Sequence, residues 1–402
     1  MTRYRYGAHL SKEQVAGLIA PHPDALELLG SWFEHHDVPT SAVSVTHGGG
    51  WLTIKDLPLT KANALLDASY QTYRHTETDE AVIRTVGYSL PVALQKYVQT
   101  VAPTTYFGSP RPYGLTSKVA VNAPTLPDDH EIQDLLATFA TGDPVPSNCS
   151  SIITPTCLRL LYKTWGYKPQ ATSKNKIGIT GYLEQYASNS DLTEFLSRFR
   201  TDAANANFTF VSVNGGINNQ SDPGAEVRLV RHVDGKWRYN ISSQANLDIQ
   251  YAESITYPTP TVFYSTPGSP PYKPDKLTPN NTNEPYLDWL DFVMNQETIP
   301  QTISTSYGDD EQTTPPEYAT SVCNMFAQLG TMGVSVLFAS GDLGVGGGSC
   351  LTNDGTNSVK FLPIFPASCG FYIFPITNSR DLLDGGCNLK VLLSRQSVPR
   401  LK

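Results

Sequence analysis

The sequence predicts an α/β protein with a mostly parallel β-sheet, preceded by a small α+β domain. Five short apolar runs follow Cys149, namely K-I-G-I-T-G-Y-L, F-T-F-V-S-V, T-V-F-Y-S, T-I-S-T-S-Y and G-V-S-V-L-F-A-S. Helical stretches lie between them, including D-L-T-E-F-L-S-R-F, Y-L-D-W-L-D-F-V-M and Tyr318–Leu329. Apolar strands that alternate with helices indicate a parallel sheet covered on both faces. In such folds ligands bind beyond the carboxyl ends of the strands, so we expect the functional site there.

The first 100 residues mix helix and strand patterns. S-K-E-Q-V-A-G-L-I-A opens a helix with a capping box from Ser11 to Gln14. A second helix is predicted in A-L-E-L-L-G-S-W-F-E-H-H, followed by strand-like V-S-V-T-H, a turn at Gly48–Gly50 and W-L-T-I. A helix at about Ala62–Tyr73, a strand V-I-R-T-V-G-Y and a helix at Ala93–Thr100 complete the set. This mixture is typical of small α+β domains.

The segment from about Ala102 to Asn148 has no periodic pattern. Its prolines are Pro103, Pro110, Pro112, Pro124, Pro127, Pro144 and Pro146. Long stretches without secondary structure are usually functional or disordered, and they are accessible to proteases. We therefore predict a connecting segment here.

Composition and charge argue against two classes of partner. The formal net charge is −8 and the pI is near 5.5, and no run of Lys or Arg forms a basic patch, so nucleic acid is not the expected main partner. No apolar run reaches the roughly 18 residues that a membrane span needs. The chain is 40% hydrophobic, which is enough for a packed core, and only 16% charged.

Six cysteines and five glycosylation sequons favour an oxidising, secretory environment. The sequons begin at Asn148, Asn207, Asn219, Asn240 and Asn280. No two cysteines form a C-x-x-C pair, so a zinc or thioredoxin-like site is not expected. Six cysteines allow fifteen connectivities, so the sequence leaves the pairing open. Among these we favour Cys350 with Cys369, across a Gly/Asn-rich loop, while Cys387 in the divergent tail either pairs or has no partner. The amino terminus lacks the apolar core of a signal peptide, so we expect a secreted protein whose start is missing.

Three polar constellations are candidates for chemistry. Asp342 lies in the turn S-G-D, which either is solvated or presents a carboxyl group at the end of a strand. Gln244 and Asp248 stand four residues apart and share one helix face, usually a solvated one. The acidic run in S-T-S-Y-G-D-D-E could bind a cation, although such a run is more often a loop in water.

A serine-histidine-aspartate triad fits the chain badly. His232 is the only histidine after Cys149. A hydrolase with this sequence would need a carboxylate as its base, and a carboxylate base functions best in acid.

Several motifs, in this order, resemble the sedolisin family of serine-carboxyl peptidases, and most of all fungal secreted tripeptidyl peptidases. Y-G-A-H-L-S-K-E-Q-V-A, W-L-T-I-K-D, Y-R-H-T-E-T and I-R-T-V-G-Y-S-L-P resemble the activation prodomain of the family. S-S-I-I-T-P-T-C-L-R-L-L-Y resembles the start of its mature enzyme. A-N-L-D-I-Q-Y, S-T-S-Y-G-D-D-E, F-A-S-G-D-L-G and F-P-A-S-C resemble landmarks of its catalytic domain.

The resemblance implies a subtilisin-like catalytic domain and a role for each candidate residue. In the family a glutamate is the base, an aspartate four residues later orients it, and an aspartate in the S-G-D turn donates to the oxyanion. Gln244 has the position of the base, Asp248 that of the orienting acid and Asp342 that of the oxyanion donor. The stretch that lines the substrate cleft is matched by Ser306, Tyr307 and Gly308.

The chain departs from the family at the base and at the nucleophile. Gln244 cannot accept a full proton at ordinary pH. The family's nucleophile is a serine in a G-T-S motif and its calcium site lies near the carboxyl terminus, yet no G-T-S occurs here and the chain diverges after F-P-A-S-C. We therefore expect the nucleophilic serine and the calcium ligands to be absent from this chain, although the resemblance implies calcium for the family.

We predict an activation prodomain at 1–105, a Pro-rich connector with the activation cleavage at 106–147, an incomplete subtilisin-like peptidase domain at 148–369 and a divergent tail at 370–402. The family's reaction would release tripeptides or cut proteins internally in acid, with the prodomain as its inhibitory partner and a monomer as the working unit. We expect this chain to be inactive, and marginally stable because an uncovered apolar face aggregates. The alternatives are a non-catalytic protein that binds peptides or a related peptidase, and a secreted glycoprotein without a peptidase role.

Overall fold

The computed structural model describes most of the chain on either side of the predicted connector. The described residues are 7–46, 48–74, 81–102, 104–105, 149, 153–221, 231–233, 236–238, 244–276, 278–279, 281–341, 349–370 and 375–376.

The amino-terminal part combines four helices with two antiparallel hairpins among its described residues. The helices are α1 (Lys12–Ile19), α2 (Pro23–His35), α3 (Leu59–Leu66) and α4 (Val92–Gln95). The hairpins pair β1 (Val43–Val45) with β2 (Leu52–Ile54), and β3 (Gln71–Arg74) with β4 (Ala81–Arg84). The capping box predicted at Ser11 and Gln14 is confirmed at the start of α1. A small core of Leu29, Phe33, Val38, Leu65 and Leu94 holds these elements together.

The helix predicted at about Ala62–Tyr73 is wrong in its second half, because α3 ends at Leu66. Asp67 takes a left-handed conformation with φ of 44°, which stops the helix. The side chain of Asn63 then accepts a hydrogen bond from the Tyr70 N–H at 2.7 Å, so the chain turns away and enters β3. The last predicted helix of this part is also shorter than expected and is confined to the single turn α4.

The second part is built around a parallel sheet. Its helices are α5 (Pro155–Leu161), α6 (Asn189–Phe199), α7 (Gln244–Thr256), α8 (Tyr286–Asn295) and α9 (Pro316–Thr331). Its strands are β5 (Ile177–Gly181), β6 (Phe208–Ser212), β7 (Arg231–Val233), β8 (Lys236–Arg238), β9 (Thr261–Ser265), β10 (Thr302–Thr305), β11 (Asp309–Asp310), β12 (Ser335–Ala339), β13 (Ile364–Phe365) and β14 (Pro375–Ile376). The sheet order is β14-β12-β10-β5-β9-β6, and every neighbouring pair is parallel. No helix in the described ranges is both long and apolar enough to cross a lipid bilayer.

Helices cover both faces of this sheet, as the apolar runs predict. Alternate residues of a strand point to opposite faces. Accordingly, Val262 and Tyr264 of β9 pack with α8 and α9, against buried residues that include Trp289, Leu290, Val293, Val322, Phe326 and Leu329. Phe263 faces the other way and packs with α6 and α7, among Leu192, Phe195, Leu196, Ala245 and Ile249. The predicted parallel α/β sheet is therefore confirmed.

Two disulfides join described residues, and they correct the expected pairing. Cys149 pairs with Cys157 in α5, and Cys323 of α9 pairs with Cys369. The Cys350–Cys369 bond predicted from the sequence is wrong. Cys369 lies in the turn after β13. Because β13 pairs with β11, this turn lies beside α9, where Cys323 is, and not beside the loop that contains Cys350. Cys387 lies outside the described residues.

The amino-terminal part contacts the second part at the end of α9. The Leu10 N–H donates to the Thr331 carbonyl at 3.0 Å. The ring of His9 lies so close to Gly333 that a Cβ on that glycine would come within 2.6 Å of it. Trp51 lies in the turn between β1 and β2, directly before β2, and packs against the core on the α8–α9 face of the sheet. These contacts define a docking face made of His9, Leu10 and Trp51.

Candidate active site

The carboxyl ends of the central strands meet beside the stretch predicted to bind substrate. Thr180 in β5 donates its hydroxyl to that of Thr305 in β10 at 3.0 Å, and both side chains are buried. Ser306, Tyr307 and Gly308 follow β10 directly. A Cβ on Gly308 would lie 2.7 Å from the Phe365 carbonyl, so only glycine lets the chain pass β13 here. The predicted substrate stretch therefore lies at the strand ends, where the sequence predicts the site.

Gln244 and Asp248 form a hydrogen-bonded pair on the first turn and a half of α7. The Gln244 Nε2 donates to the Asp248 Oδ1 at 2.8 Å, and both side chains are half-buried. An ionised carboxylate only accepts hydrogen bonds, so the amide nitrogen must face it. The amide oxygen is then the acceptor atom that Gln244 can present to a reacting group. It can accept a hydrogen bond but not keep a proton.

A buried amide on the opposite side of α7 fixes the position of this pair. Asn246 has no solvent exposure. Its Oδ1 accepts from the Ser188 N–H at 2.7 Å, and its Nδ2 donates to the Asp191 Oδ2 at 2.9 Å. Asn246 thus ties the start of α7 to the start of α6. This role of Asn246 was not predicted from the sequence. The spacing could have indicated it, because a residue two positions from Gln244 lies on a different face of the helix.

Tyr307 brings the predicted substrate stretch near Asp248. The tyrosine is buried, and its ring packs edge-on against Tyr182 with centroids 5.2 Å apart. Burial, first, and then the negative charge of Asp248 raise the pKa of Tyr307 well above its usual range. The Tyr286 hydroxyl donates to the Tyr307 carbonyl at 3.0 Å and holds the backbone in place. The structure therefore places Gln244, Asp248 and Ser306–Gly308 in one region.

The acidic run after Gly308 is not a loop in water, which corrects the commoner interpretation of its sequence. Asp309 and Asp310 form β11 and pair with β13. Both side chains are buried, and so is that of Glu284 just before α8. No group of three or more His, Cys, Asp or Glu side chains among the described residues is arranged to hold a metal ion.

Of the remaining predicted site residues, some lie within the described part of the chain and some outside it. Asp342 lies outside the described residues, as do Asn148, Asn240 and Asn280. Asn207 is exposed just before β6, and the Asn219 side chain accepts from the Ser221 N–H at 3.1 Å. Their glycosylation stays a prediction, and so does the role of Asp342.

Comparison with known proteins gives matches over both parts of the chain. Residues 2–107 match the family model described as "Pro-kumamolisin, activation domain". The chain is 37% identical over 374 residues to the tripeptidyl-peptidase SED2 of Arthroderma otae, which covers 92% of the chain and 58% of that relative. It is 36% identical over 373 residues to the probable tripeptidyl-peptidase SED3 of Arthroderma benhamiae, covering 91% of the chain and 56% of that relative.

The chain thus spans rather more than half the length of these relatives. Among solved structures, a Pseudomonas sedolisin, described as a serine-carboxyl proteinase complexed with two molecules of pseudo-iodotyrostatin, matches with a TM-score of 0.34 and 15% identity, over 55% of this chain and 52% of that one. The assignment rests on the sequence relatives and on the activation-domain match, which agree with the ordered motifs. The chain belongs to the sedolisin family of serine-carboxyl peptidases, together with these fungal tripeptidyl-peptidases.

Proposed function

We propose that this chain has the architecture of an acid-acting serine-carboxyl peptidase without its catalytic activity. The family's reaction is the release of tripeptides from protein amino termini, or internal cleavage, at acid pH. One observation carries the proposal: Gln244, to which the motif resemblance assigns the position of the base, donates a hydrogen bond to Asp248 at 2.8 Å. The amide thereby supports the geometry of a base–acid pair without a proton acceptor.

The chemistry explains why this exchange is severe. In the family's reaction a carboxylate base removes a proton from the nucleophilic serine, and an orienting aspartate holds that base. An amide in place of a triad carboxylate can leave the geometry intact and still lower kcat about 10⁴-fold. In addition, no G-T-S serine occurs in these 402 residues. Calcium stays a proposal drawn from the resemblance, and the reaction described here uses no step through it.

The second candidate function is binding without cleavage, of peptides or of a related peptidase. It is supported by the intact stretch Ser306–Gly308 beside the Gln244–Asp248 pair, and by the docking face at His9, Leu10 and Trp51. We also propose that the amino-terminal part is an inhibitory prodomain and that the protein is secreted. The disulfides and the sequons support secretion.

The direct test is an assay of the purified chain on tripeptide-anilide substrates across acid pH. We expect no turnover, and we expect Gln244→Glu alone not to restore it. Turnover that survives removal of contaminating peptidases would overturn the proposed inactivity. Retention of tripeptides or of a related peptidase by the inactive chain, measured by calorimetry, would favour the binding function.

The role of Gln244 is tested separately, in a longer product whose reading frame includes a G-T-S serine. We expect Gln244→Glu to raise kcat there by about 10³- to 10⁴-fold with little change in KM. Equal rates for the two proteins would show that the glutamine is no obstacle. The exposed Gln301→Glu exchange is the control and should leave kcat unchanged.

A further inference from the structure

We propose that a buried cluster of carboxyl groups acts as an acid-dependent brace for the stretch Ser306–Gly308. This carboxyl brace consists of Asp275, Glu284, Asp309 and Asp310. It holds its shape through protons shared between carboxyl groups, and it loosens when those protons are lost near neutral pH. The brace is a property of the fold, so it does not depend on whether the chain cleaves peptides.

The four side chains come from three separate segments and are almost fully buried. Their exposures are 8% for Asp275, 2% for Glu284, 5% for Asp309 and 9% for Asp310. Asp275 lies in the loop after β9, Glu284 precedes α8, and the other two form β11. Carboxyl groups are rarely buried to this extent unless they are paired. The brace therefore needs partners from within the protein.

The available hydrogen-bond donors satisfy only part of the cluster. Asp275 accepts from the Thr278 N–H at 2.8 Å and from the Gln312 Nε2 at 3.1 Å. Asp309 accepts at its Oδ1 from the Thr282 hydroxyl at 2.9 Å. Three buried carboxyl oxygens have no donor if every carboxyl group is ionised. They are Glu284 Oε2, Asp309 Oδ2 and Asp310 Oδ1.

Shared protons remove this deficit. Glu284 is in hydrogen-bonding contact with Asp309, and Asp310 with Asp275. A protonated carboxyl group has one O–H to donate. With one proton on Glu284 and one on Asp310, each pair becomes a carboxyl–carboxylate hydrogen bond. Asp275 and Asp309 already accept hydrogen bonds from other donors, so they are the acceptors in these two contacts.

Among the residues that the structure describes, no lysine or arginine forms an ion pair with Glu284, Asp309 or Asp310. The titratable groups that face Glu284 from the surrounding elements are tyrosines, namely Tyr182, Tyr286, Tyr307 and Tyr318. Tyr272 faces Asp275 and Asp309. Lys273 and Lys276 flank Asp275 in sequence, but both are exposed. Like charges repel strongly in a buried setting, so full ionisation of the brace is unfavourable.

The direction of the pH effect follows from linkage. Burial, as the main cause, raises the pKa of Asp309 to about 6 and that of Asp310 to about 7, and it raises the pKa of Glu284 well above its usual range. Unfolded carboxyl groups have a pKa of about 4, so between about pH 4 and pH 7 the folded chain binds more protons than the unfolded chain. Stability is therefore complete in acid and falls as the pH rises through this interval.

The brace is joined directly to the predicted cleft. Asp309 follows Gly308 in the chain, and Gly308 passes close to the Phe365 carbonyl of β13, the strand with which β11 pairs. Ionisation of the brace would push β11 from the start of α8 and would release Ser306–Gly308. We therefore expect this stretch to be ordered in acid and loosened at neutral pH.

The test compares the thermal unfolding of the full chain with that of the double variant Glu284→Gln with Asp310→Asn, from about pH 4 to about pH 7.5. The amides keep one N–H donor at each shared contact but do not titrate. We expect the Tm of the natural chain to fall by several degrees across this interval, and that of the variant to change much less. The exposed Glu317→Gln exchange is the control and should keep the natural profile. Equal pH slopes for the natural chain and the double variant would overturn the proposal.

Hydrogen exchange of the natural chain keeps the test decisive if the variant does not fold. We expect the protection factors of Ser306–Asp310, corrected for intrinsic exchange, to drop at least tenfold between acid and neutral pH. Those of β9, Thr261–Ser265, should stay nearly constant. Unchanged protection at Ser306–Asp310 would contradict the proposal. A rise in Tm on adding Ca²⁺ or Mg²⁺ at neutral pH would also contradict it, because the cluster would then bind a cation. Neither readout uses catalysis, so a failure of the brace is distinct from a failure of the proposed function.

Discussion

At the scale of single residues, two of the side-chain amides of α7 lie on opposite faces of the helix. Gln244 faces Asp248 and donates a hydrogen bond to its carboxyl group. Asn246 faces the interior, where both ends of its amide are used by α6. A buried amide with both ends paired fixes one helix register, because any shift leaves donors or acceptors unsatisfied.

We expect Asn246→Ala to lower the free energy of unfolding by about 2 kcal/mol, because the Ser188 N–H loses its buried acceptor. Chemical denaturation of the full chain measures this. The exposed Asn205→Ala exchange is the matched control and should stay within about 0.5 kcal/mol of the natural chain. A loss as small as the control's would show that Asn246 does not anchor α7.

At the scale of elements, the long disulfide fixes α9 to the turn after β13. Cys323 and Cys369 are 46 residues apart, whereas Cys149 and Cys157 are only 8 apart. A crosslink that closes a longer loop removes more entropy from the unfolded chain. The Cys323–Cys369 bond also holds β13, which is the partner of β11 in the carboxyl brace.

Loop lengths therefore predict unequal losses when the bonds are removed. We expect Cys323→Ala with Cys369→Ala to lower the free energy of unfolding by about 4 kcal/mol, and Cys149→Ala with Cys157→Ala by about 2.5 kcal/mol. Denaturant unfolding gives both values, and peptide mapping by mass spectrometry checks the pairing itself. Equal losses, or the reverse order, would contradict a stabilisation set by loop length.

At the scale of the whole molecule, the amino-terminal part contacts the α8–α9 face. Trp51 provides an apolar contact, and Leu10 provides a backbone hydrogen bond to Thr331. The activation cleavage at 106–147 stays a prediction from the Pro-rich sequence.

After proteolysis in that connector, we expect the two fragments of the natural chain to co-elute in size-exclusion chromatography, and those of Trp51→Ala to separate. Removing the half-buried indole deletes the apolar contact of Trp51 with the core of the second part. Val45→Ala, in the same hairpin and 52% exposed, is the control. Co-elution of the Trp51→Ala fragments would show that other residues hold the parts together.

Local patterns in the sequence were enough for the strands, most of the helices and the Gln244–Asp248 pair. Apolar runs and a spacing of four residues are properties of neighbours in the chain, so they survive without knowledge of the fold. The partner of Cys369 and the burial of Asp309 and Asp310 could not be predicted from such local patterns.

Those features depend on residues that are distant in sequence, which only the tertiary structure brings together. The packing of β11 beside the start of α8 places Asp309 against Glu284, and the course of β13 carries Cys369 to α9. An acidic run is solvated or buried according to what covers it, and that cover comes from other segments of the chain. The sequence alone therefore determined the family and the strand positions, and it predicts that Gln244 replaces the base. The fold decided that the acidic run is a buried cluster of carboxyl groups.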